Sequence, residues 1–186
     1  MSEAPRSYVA HVFSNLHDSG KRPRDVVRDV GALGGHGVKF VAQFVGSFTE
    51  YTRLELPALD DAQRLIAGPL WDAGVRSHAS TELKFGIMGP KRGSPPYCAL
   101  VRLRAGKDPF ELLDDLDAKF GPLLDTETYW YGAAVVTGDF DLLVDLGRQS
   151  LEELEDSVIG DLRSVPGIAS TETSFAYLPG NAIRNE

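Results

Sequence analysis

The stretch VVTGDFDLLV, residues 135–144, decides the fold prediction for the second half of the chain. Its Gly138-Asp139 pair is a turn signal, and the residues on either side are apolar or β-branched. Two such runs around a short Gly-containing turn are typical of a β-hairpin. We therefore predict a hairpin whose strands are Thr126–Thr137 and Phe140–Leu146.

The sequence on both sides of this hairpin predicts one helix and one strand each. Asp108 with Pro109 is a helix start, and Ser150 with Glu153 forms a capping box. The predicted order of this half is β-α-β-β-α-β. Its outer segments are a strand at Tyr97–Arg104, a helix from Pro109 that ends at Gly121-Pro122, a helix from Ser150 to about Leu162, and a strand at Ile168–Tyr177.

Three short segments of the first half recur in the second half at nearly constant spacing. The identical tetrapeptides Ala79–Glu82 and Ala169–Glu172 are 90 residues apart. The other two pairs, at spacings of 92 and 89, are Gly46-Ser47-Phe48 with Gly138-Asp139-Phe140 and Tyr8-Val9-Ala10 with Tyr97-Cys98-Ala99. Agreement of three offsets in one order indicates an internal repeat.

The first half repeats the same order of elements with weaker signals. A segment rich in Gly and Pro then separates the halves and breaks regular structure. We predict a first module at 1–86, a linker at 87–96 and a second module at 97–186. The first module's elements are strands at Tyr8–Phe13, Val38–Val45, Phe48–Leu56 and Val75–Phe85, with helices at Pro23–Leu33 and Pro57–Ala73.

A βαββαβ module has one antiparallel sheet with both helices on one face, so the other face needs a cover. The fold class we expect is α+β: two tandem ferredoxin-like βαββαβ modules whose sheets pair as an α/β barrel or sandwich. The pairing partner can be the other module or another chain, and we expect a homo-oligomer.

The hairpin motif, together with the later run VPGIASTET at 165–173, resembles the Lrp/AsnC ligand-binding (RAM) domain. That family carries a Thr-Gly-Asp-Tyr/Phe-Asp hairpin and a later Leu-Pro-Gly-Val-x-x-Thr-x-Thr run. The resemblance covers roughly residues 97–178 and implies a dimeric α/β-barrel fold. It also implies that Gly138 and Asp139 lie near an effector site. The first module looks like a diverged copy whose hairpin, Gly46–Thr49, lacks both acidic residues.

Regulators of this type usually carry a helix-turn-helix domain before the ligand-binding module, whereas residues 1–85 have a strand-rich pattern. The formal net charge is -8, which disfavours binding to a phosphate backbone. We expect no direct nucleic-acid contact. Cys98 is the single cysteine, and neither a signal peptide nor a membrane-spanning run is evident, so we expect a cytoplasmic protein without membrane contact.

The candidate ligand-binding residues are Gly138, Asp139, Asp141, Thr171 and Thr173. A carboxylate can hold an ammonium group, and free N–H groups at a glycine turn can hold a carboxylate. The alternative is an ordinary hairpin turn. Thr171 and Thr173 share one strand face and could line a pocket, or they reflect β-propensity alone.

The weak catalytic candidates are His11, His78, Tyr129 and Tyr131. Tyr129 and Tyr131 share one strand face and could stack a planar ligand if that face is open, or they are core or interface residues. No histidine pair has a metal-binding spacing, and we expect no metal and no cofactor. Surface or interface positions are the favoured interpretation of the histidines.

Arg102 and Arg104 share a strand face with Cys98. The two arginines could bind an anionic ligand, or they could form salt bridges across the sheet. Cys98 has no evident activating partner, so we expect a buried thiol.

Three functions remain open from sequence. The leading hypothesis is a ligand-sensing or regulatory protein that binds an amino acid or related metabolite between its modules, with Asp139 and Asp141 as polar anchors. The alternative is an enzyme of the dimeric α/β-barrel type, either a cofactor-free oxygenase or isomerase or a heme enzyme, acting on a small hydrophobic metabolite. The third is a pure assembly module. Whether the protein is an enzyme is left open.

Overall fold

The computed structural model describes residues 8–16, 19–75, 82–83, 95–125 and 129–185. The chain divides into two compact units. The first unit comprises Met1–Lys84 together with Gly180–Glu186, and the second comprises Phe85–Pro179.

In the first unit, the residues that the structure describes form a five-stranded antiparallel sheet and one further short strand. The strands are β1 (Tyr8–Ser14), β2 (Val38–Gln43), β3 (Val45–Gly46), β4 (Glu50–Leu56), β5 (Glu82–Leu83) and β10 (Ala182–Arg184). The order across the sheet is β10-β2-β4-β1-β5, and the two-residue β3 lies in the turn between β2 and β4. In β1, residues Ala10 and Val12 face the core, while His11 and Phe13 point to the other side.

Helices cover one face of this sheet. Helix α1 (Pro23–Gly31) buries Val26, Val27 and Val30 in the same core as the strand residues. The second helical run is continuous and consists of α2 (Leu59–Leu65), a π-helical segment (Ile66–Leu70) and α3 (Trp71–Ala73). Pro69 lies inside the π-helical segment. A proline removes one helical hydrogen bond and clashes with the preceding turn, and the widened segment accommodates it. A short 3₁₀ helix, Gly34–His36, precedes β2.

Strand β10 is the element that the sequence prediction does not contain. It pairs antiparallel with β2, with Ile183 opposite Val41. The Asn185 side-chain amide donates to Gly31 O at 2.9 Å and to Val38 O at 3.0 Å. Residues 180–186 thus belong to the first unit, while the predicted module 97–186 includes them in the second.

The described residues of the second unit form four strands and two α-helices. The strands are β6 (Tyr97–Ala105), β7 (Trp130–Val135), β8 (Leu142–Arg148) and β9 (Ile168–Tyr177), and the helices are α4 (Pro109–Phe120) and α5 (Leu151–Glu155). The strands lie side by side in the order β9, β6, β8, β7 and pair antiparallel. A 3₁₀ segment, Gly121–Asp125, follows α4, and a π-helical segment, Asp156–Asp161, and a 3₁₀ turn, Leu162–Ser164, follow α5.

Local capping signals begin both helices of the second unit where the sequence predicts. Asp108 Oδ1 accepts hydrogen bonds from the backbone N–H groups of Phe110 and Glu111. Ser150 and Glu153 form the predicted capping box. The helices bury Leu112, Leu116, Phe120, Leu154, Val158 and Leu162 against Ala99, Val101, Leu103, Leu142, Val144 and Leu146 of the sheet.

The α+β fold class is confirmed, with two antiparallel sheets that both have the strand succession of a ferredoxin-like module. The last predicted strand of the first module, Val75–Phe85, is the weakest match: Val75 is outside any strand and β5 covers Glu82–Leu83. The remaining residues of that prediction lie outside the described residues, as does most of the predicted linker.

Candidate functional site

The predicted hairpin closes with a turn that exposes its glycine and its first aspartate. The Val136 N–H donates to Asp141 O at 2.9 Å, which closes the turn. Gly138 has φ 134°, a backbone conformation that favours glycine. Gly138 and Asp139 are both exposed. The turn therefore presents the Asp139 carboxylate to solvent.

Asp141 is held by the end of the neighbouring strand β6. Its Oδ2 accepts a hydrogen bond from Ala105 N–H at 2.8 Å, and its own N–H donates to Leu103 O at 2.9 Å. The Asp141 side chain is half-buried. The two aspartates of the motif thus differ in role, since Asp141 fixes the turn to β6 and Asp139 stays available.

Thr171 and Thr173 lie on the other side of β6 from the hairpin. Leu103 of β6 is opposite both Leu142 of β8 and Thr171 of β9, so the start of β8 and Thr171 share one row of the sheet. Thr173 lies one row further in, opposite Val101. Its Oγ1 is buried and accepts or donates no hydrogen bond among the described residues. The predicted ligand-binding residues therefore gather near one end of the second sheet.

Arg102 pairs across the sheet rather than standing free for an anion. Its Nη2 contacts the Glu172 carboxylate of β9, and its guanidinium lies 5.2 Å from the centroid of the Phe140 ring. This is the cross-sheet salt bridge that the sequence left as an alternative. It leaves Arg104, which is exposed, as the other arginine on that strand face.

Tyr131 is a core residue and does not face an open side of the sheet. It is 1% exposed, stacks on Phe120 at a centroid distance of 5.4 Å, and donates to Asp117 Oδ1 at 2.6 Å. Burial and the Asp117 carboxylate both raise the pKa of Tyr131. Because strand alternation places Tyr131 with the helix-facing residues, the pair with Tyr129 is covered by helices, and Trp130 takes the other face.

Tyr129 lies against a buried arginine that the sequence analysis did not select. The Arg148 guanidinium carbon is 3.3 Å from the centroid of the Tyr129 ring, and both residues are 6% exposed. Arg148 Nη1 donates to Gly147 O at 2.8 Å. Strand parity could have placed Arg148 on the helix-facing side of β8, but a terminal arginine usually extends to solvent.

His11 is fully buried in the first unit, so it is not a surface residue, and the interface alternative stays a prediction. Its Nδ1 lies 2.7 Å from the Tyr51 hydroxyl, and the two rings stack at a centroid distance of 5.8 Å. Phe13 and Phe40 pack against the same tyrosine. His78 lies outside the described residues, so its place relative to His11 stays a prediction.

The first unit also buries a carboxyl group that sequence reasoning missed. The Ser14 and Thr52 hydroxyls both donate to the Glu50 carboxylate, and Glu50 is 0% exposed. Burial, opposed by these two hydrogen bonds, raises the pKa of Glu50 to about 7. The available signal was strand parity, since Glu50 and Thr52 share a face with the core residue Leu54.

Cys98 is a buried thiol, as expected. Its Sγ lies 3.1 Å from Asp145 Oδ1 on the sheet face opposite the helices. Within the described part of the chain, no group of three or more His, Cys, Asp or Glu side chains could hold a metal ion. Nor does any described helix combine the length and hydrophobicity that crossing a bilayer requires.

Residues 131–178 match the model of the Lrp/AsnC ligand binding domain. This segment contains β7, the hairpin, β8, α5 and β9. Comparison with curated proteins gives no match.

Solved structures similar to the whole chain include three with low sequence identity. A mutant chlorite dismutase from Candidatus Nitrospira defluvii is 15% identical, with a TM-score of 0.58, over 94% of this chain and 92% of the other. An anthrone oxidase-like protein is 13% identical, with a TM-score of 0.59, over 98% and 94%. A candidate monooxygenase from Lactobacillus acidophilus NCFM is 7% identical, with a TM-score of 0.60, over 96% and 95%.

At these identities the structural likeness shows the fold alone. The hairpin motif, the later Thr-containing strand and the family match agree with one another over the same residues. The chain is a ferredoxin-like α+β protein whose residues 131–178 match the Lrp/AsnC ligand-binding domain.

Proposed function

We propose that this protein binds a small molecule, an amino acid or a related metabolite, at the hairpin end of its second unit, and that it acts as a ligand-sensing or regulatory protein. The observation that carries the proposal is the match of residues 131–178 to a ligand-binding family, over the segment that contains the hairpin. Asp139 supplies the polar anchor.

The contacts around the turn support different roles for the two aspartates, a structural role for Asp141 and a ligand-binding role for Asp139. The Asp141 carboxylate already accepts the Ala105 N–H, so it holds the turn in place. The Asp139 carboxylate is exposed and suits an ammonium group. Thr171 and Thr173 add hydroxyl groups on the far side of β6, and the buried Thr173 Oγ1 has a hydrogen bond still to make.

The first unit supports a role without direct contact to nucleic acid. It is built around a β-sheet, and its described residues contain no compact three-helix domain. The net charge of -8 also disfavours nucleic-acid binding, because binding to a phosphate backbone relies on Lys and Arg. Any regulatory effect would then pass through a protein partner or a second copy of the chain.

Calorimetry of the full chain against a panel of free amino acids tests the proposal. We expect heat of binding for at least one amino acid, and Asp139→Asn should weaken that binding about tenfold or more, because it removes the charge that faces the ammonium group. The matched control is Asp114→Asn, which removes an exposed carboxylate on α4 of the same unit. A panel without heat, or equal binding by the two variants, would refute the proposal.

An enzyme of the dimeric α/β-barrel type is the second candidate. The contact that favours it is the buried pair of His11 Nδ1 and the Tyr51 hydroxyl, because a histidine held by a phenol can exchange a proton with a bound substrate. Purified protein with a Soret band would support the heme version. For the cofactor-free version, His11→Gln and Tyr51→Phe should abolish turnover of a hydrophobic substrate, and retained turnover would refute it.

A cytoplasmic location and a homo-oligomeric state remain part of the proposal. The single cysteine supports the location, because a reducing compartment does not select for disulfides. Light scattering of the purified chain measures the oligomeric state. A monomer at micromolar concentration would contradict the proposed homo-oligomer.

A further inference from the structure

The Arg148 guanidinium is a buried cation with no carboxylate partner among the described residues. The residue is 6% exposed, and no carboxylate of the described residues lies within 4.0 Å of it. A guanidinium offers five N–H donors, and the Arg148 Nη1 donates one hydrogen bond to Gly147 O. Buried charges in proteins are normally paired, because an unpaired one costs several kcal/mol of solvation.

The Tyr129 hydroxyl beside it is also unsatisfied. The guanidinium lies over the ring of Tyr129 rather than end-on to the phenol oxygen. The oxygen is buried and has no hydrogen-bond partner among the described residues. Two polar groups next to each other, both short of partners, are rare in a folded core.

The charges near this pair do not neutralise it. Desolvation lowers the pKa of Arg148, and the adjacent Tyr129, with the exposed Asp161 and Glu153, opposes this shift only in part. Desolvation likewise raises the pKa of Tyr129. For both side chains, the loss of solvent outweighs the stabilising effects of these neighbours.

We propose that Arg148 and the Tyr129 hydroxyl form a binding site for an oxyanion, the carboxylate or phosphate group of a small metabolite. The guanidinium fork matches two oxygens of such a group, and the phenol donates a further hydrogen bond. The anion supplies the missing negative charge and satisfies the Tyr129 hydroxyl at the same time.

This site is separate from the hairpin of the proposed function. Arg148 ends β8, whereas the hairpin turn precedes its first residue, Leu142. Strand β8 is seven residues long, so its two ends are roughly 20 Å apart. One amino acid cannot reach both, so the two sites can be tested independently.

The test measures binding of inorganic phosphate and of succinate to the full chain. Thermal unfolding is followed with each probe against sodium chloride at matched ionic strength, and calorimetry then gives the dissociation constant. We expect a saturable rise in Tm with at least one probe and not with chloride. The probe that binds more tightly identifies the group as phosphate or carboxylate.

Substitutions then assign the binding to these residues. Tyr129→Phe keeps the ring and should weaken binding about fivefold, the loss of one hydrogen bond. Arg148→Lys keeps the positive charge but loses the paired N–H donors of the guanidinium, so it should weaken probe binding about tenfold. Arg148→Gln also removes the charge and should weaken probe binding about 30-fold or more. Arg163→Gln, which removes an exposed arginine of the same unit, should change the binding of either probe less than about twofold.

Two results would overturn the inference. One is that neither probe raises Tm above the chloride reference. The other is that Tyr129→Phe and Arg148→Lys bind as tightly as the unaltered chain, which leaves Arg148 a structural residue on the Tyr129 ring. Should Arg148→Gln fail to fold, Tyr129→Phe still decides the question, because it removes one oxygen and leaves the packing of the ring in place.

Discussion

Replacing Glu50 by glutamine should make the first unit more stable at alkaline pH and leave it almost unchanged at acidic pH. Glu50 is fully buried, and its pKa rises from 4.5 to about 7 in the folded chain. A glutamine side chain has nearly the same shape, and the hydroxyls of Ser14 and Thr52 can rotate to meet its amide. The substitution therefore removes the charge and little else.

The sign follows from proton binding in the two states. Between pH 4.5 and about 7 the folded chain holds a proton on Glu50 that the unfolded chain has released. Stability contributed by this group therefore falls as pH rises through that window, and below it the two states bind equally. The difference between a pKa of 4.5 and one of about 7 corresponds to about 3 kcal/mol lost above neutral pH.

Urea unfolding of both proteins from pH 5 to pH 8.5 measures the effect. The free energy of unfolding of the Glu50→Gln variant, relative to the unaltered chain, should increase by about 2–3 kcal/mol across this range. Glu155→Gln, which neutralises an exposed glutamate of the second unit, should show no comparable trend. A flat difference for Glu50→Gln, or a Glu50 carboxyl that titrates near 4.5 by NMR, would refute the reasoning.

Three further substitutions test contacts that organise the two units, each measured by urea unfolding. Asn185→Ala removes two hydrogen bonds to backbone carbonyls and should cost about 1–2 kcal/mol, and an unchanged value would mean that β10 is not held by this side chain. Asp141→Ala leaves the Ala105 N–H without its acceptor and should cost about 1–3 kcal/mol, whereas Asp139→Ala should stay within about 0.5 kcal/mol. Equal effects of these two would contradict their different roles. Ser150→Ala should cost about 1 kcal/mol through loss of the helix cap, and no loss would show that the capping box is dispensable.

The elements that sequence predicted well are those specified by neighbouring residues. The turn at Gly138-Asp139 and the caps at Asp108 and Ser150 act over three or four positions, so the sequence contains the whole signal. The same holds for the helical run through Pro69, although its π-helical widening was not predicted.

The features that sequence missed depend on contacts between distant residues. Strand β10 is three residues long and is defined by its pairing with β2, about 140 residues earlier in the chain. The partners of Glu50 and Arg148 are likewise invisible in a linear pattern. The alternation of residues along a strand predicts which face a side chain lies on. It does not predict whether a charged side chain on that face has a counter-charge nearby.

The candidate ligand site was predicted in part. The sequence selected Asp139 and Asp141 together, and only the hydrogen bond to Ala105 separates their roles. Pairing of the two sheets, an origin by duplication and the assignment of the ligand-binding residues stay predictions.

The position of β10 constrains how the protein is made. Residues 182–184 are synthesised after the entire second unit, yet they complete the sheet of the first. During translation the edge of β2 therefore stays without its neighbouring strand until β10 has been synthesised. An exposed strand edge of this kind is prone to pair with the wrong strand. Severing the chain at the predicted linker would make that temporary state permanent.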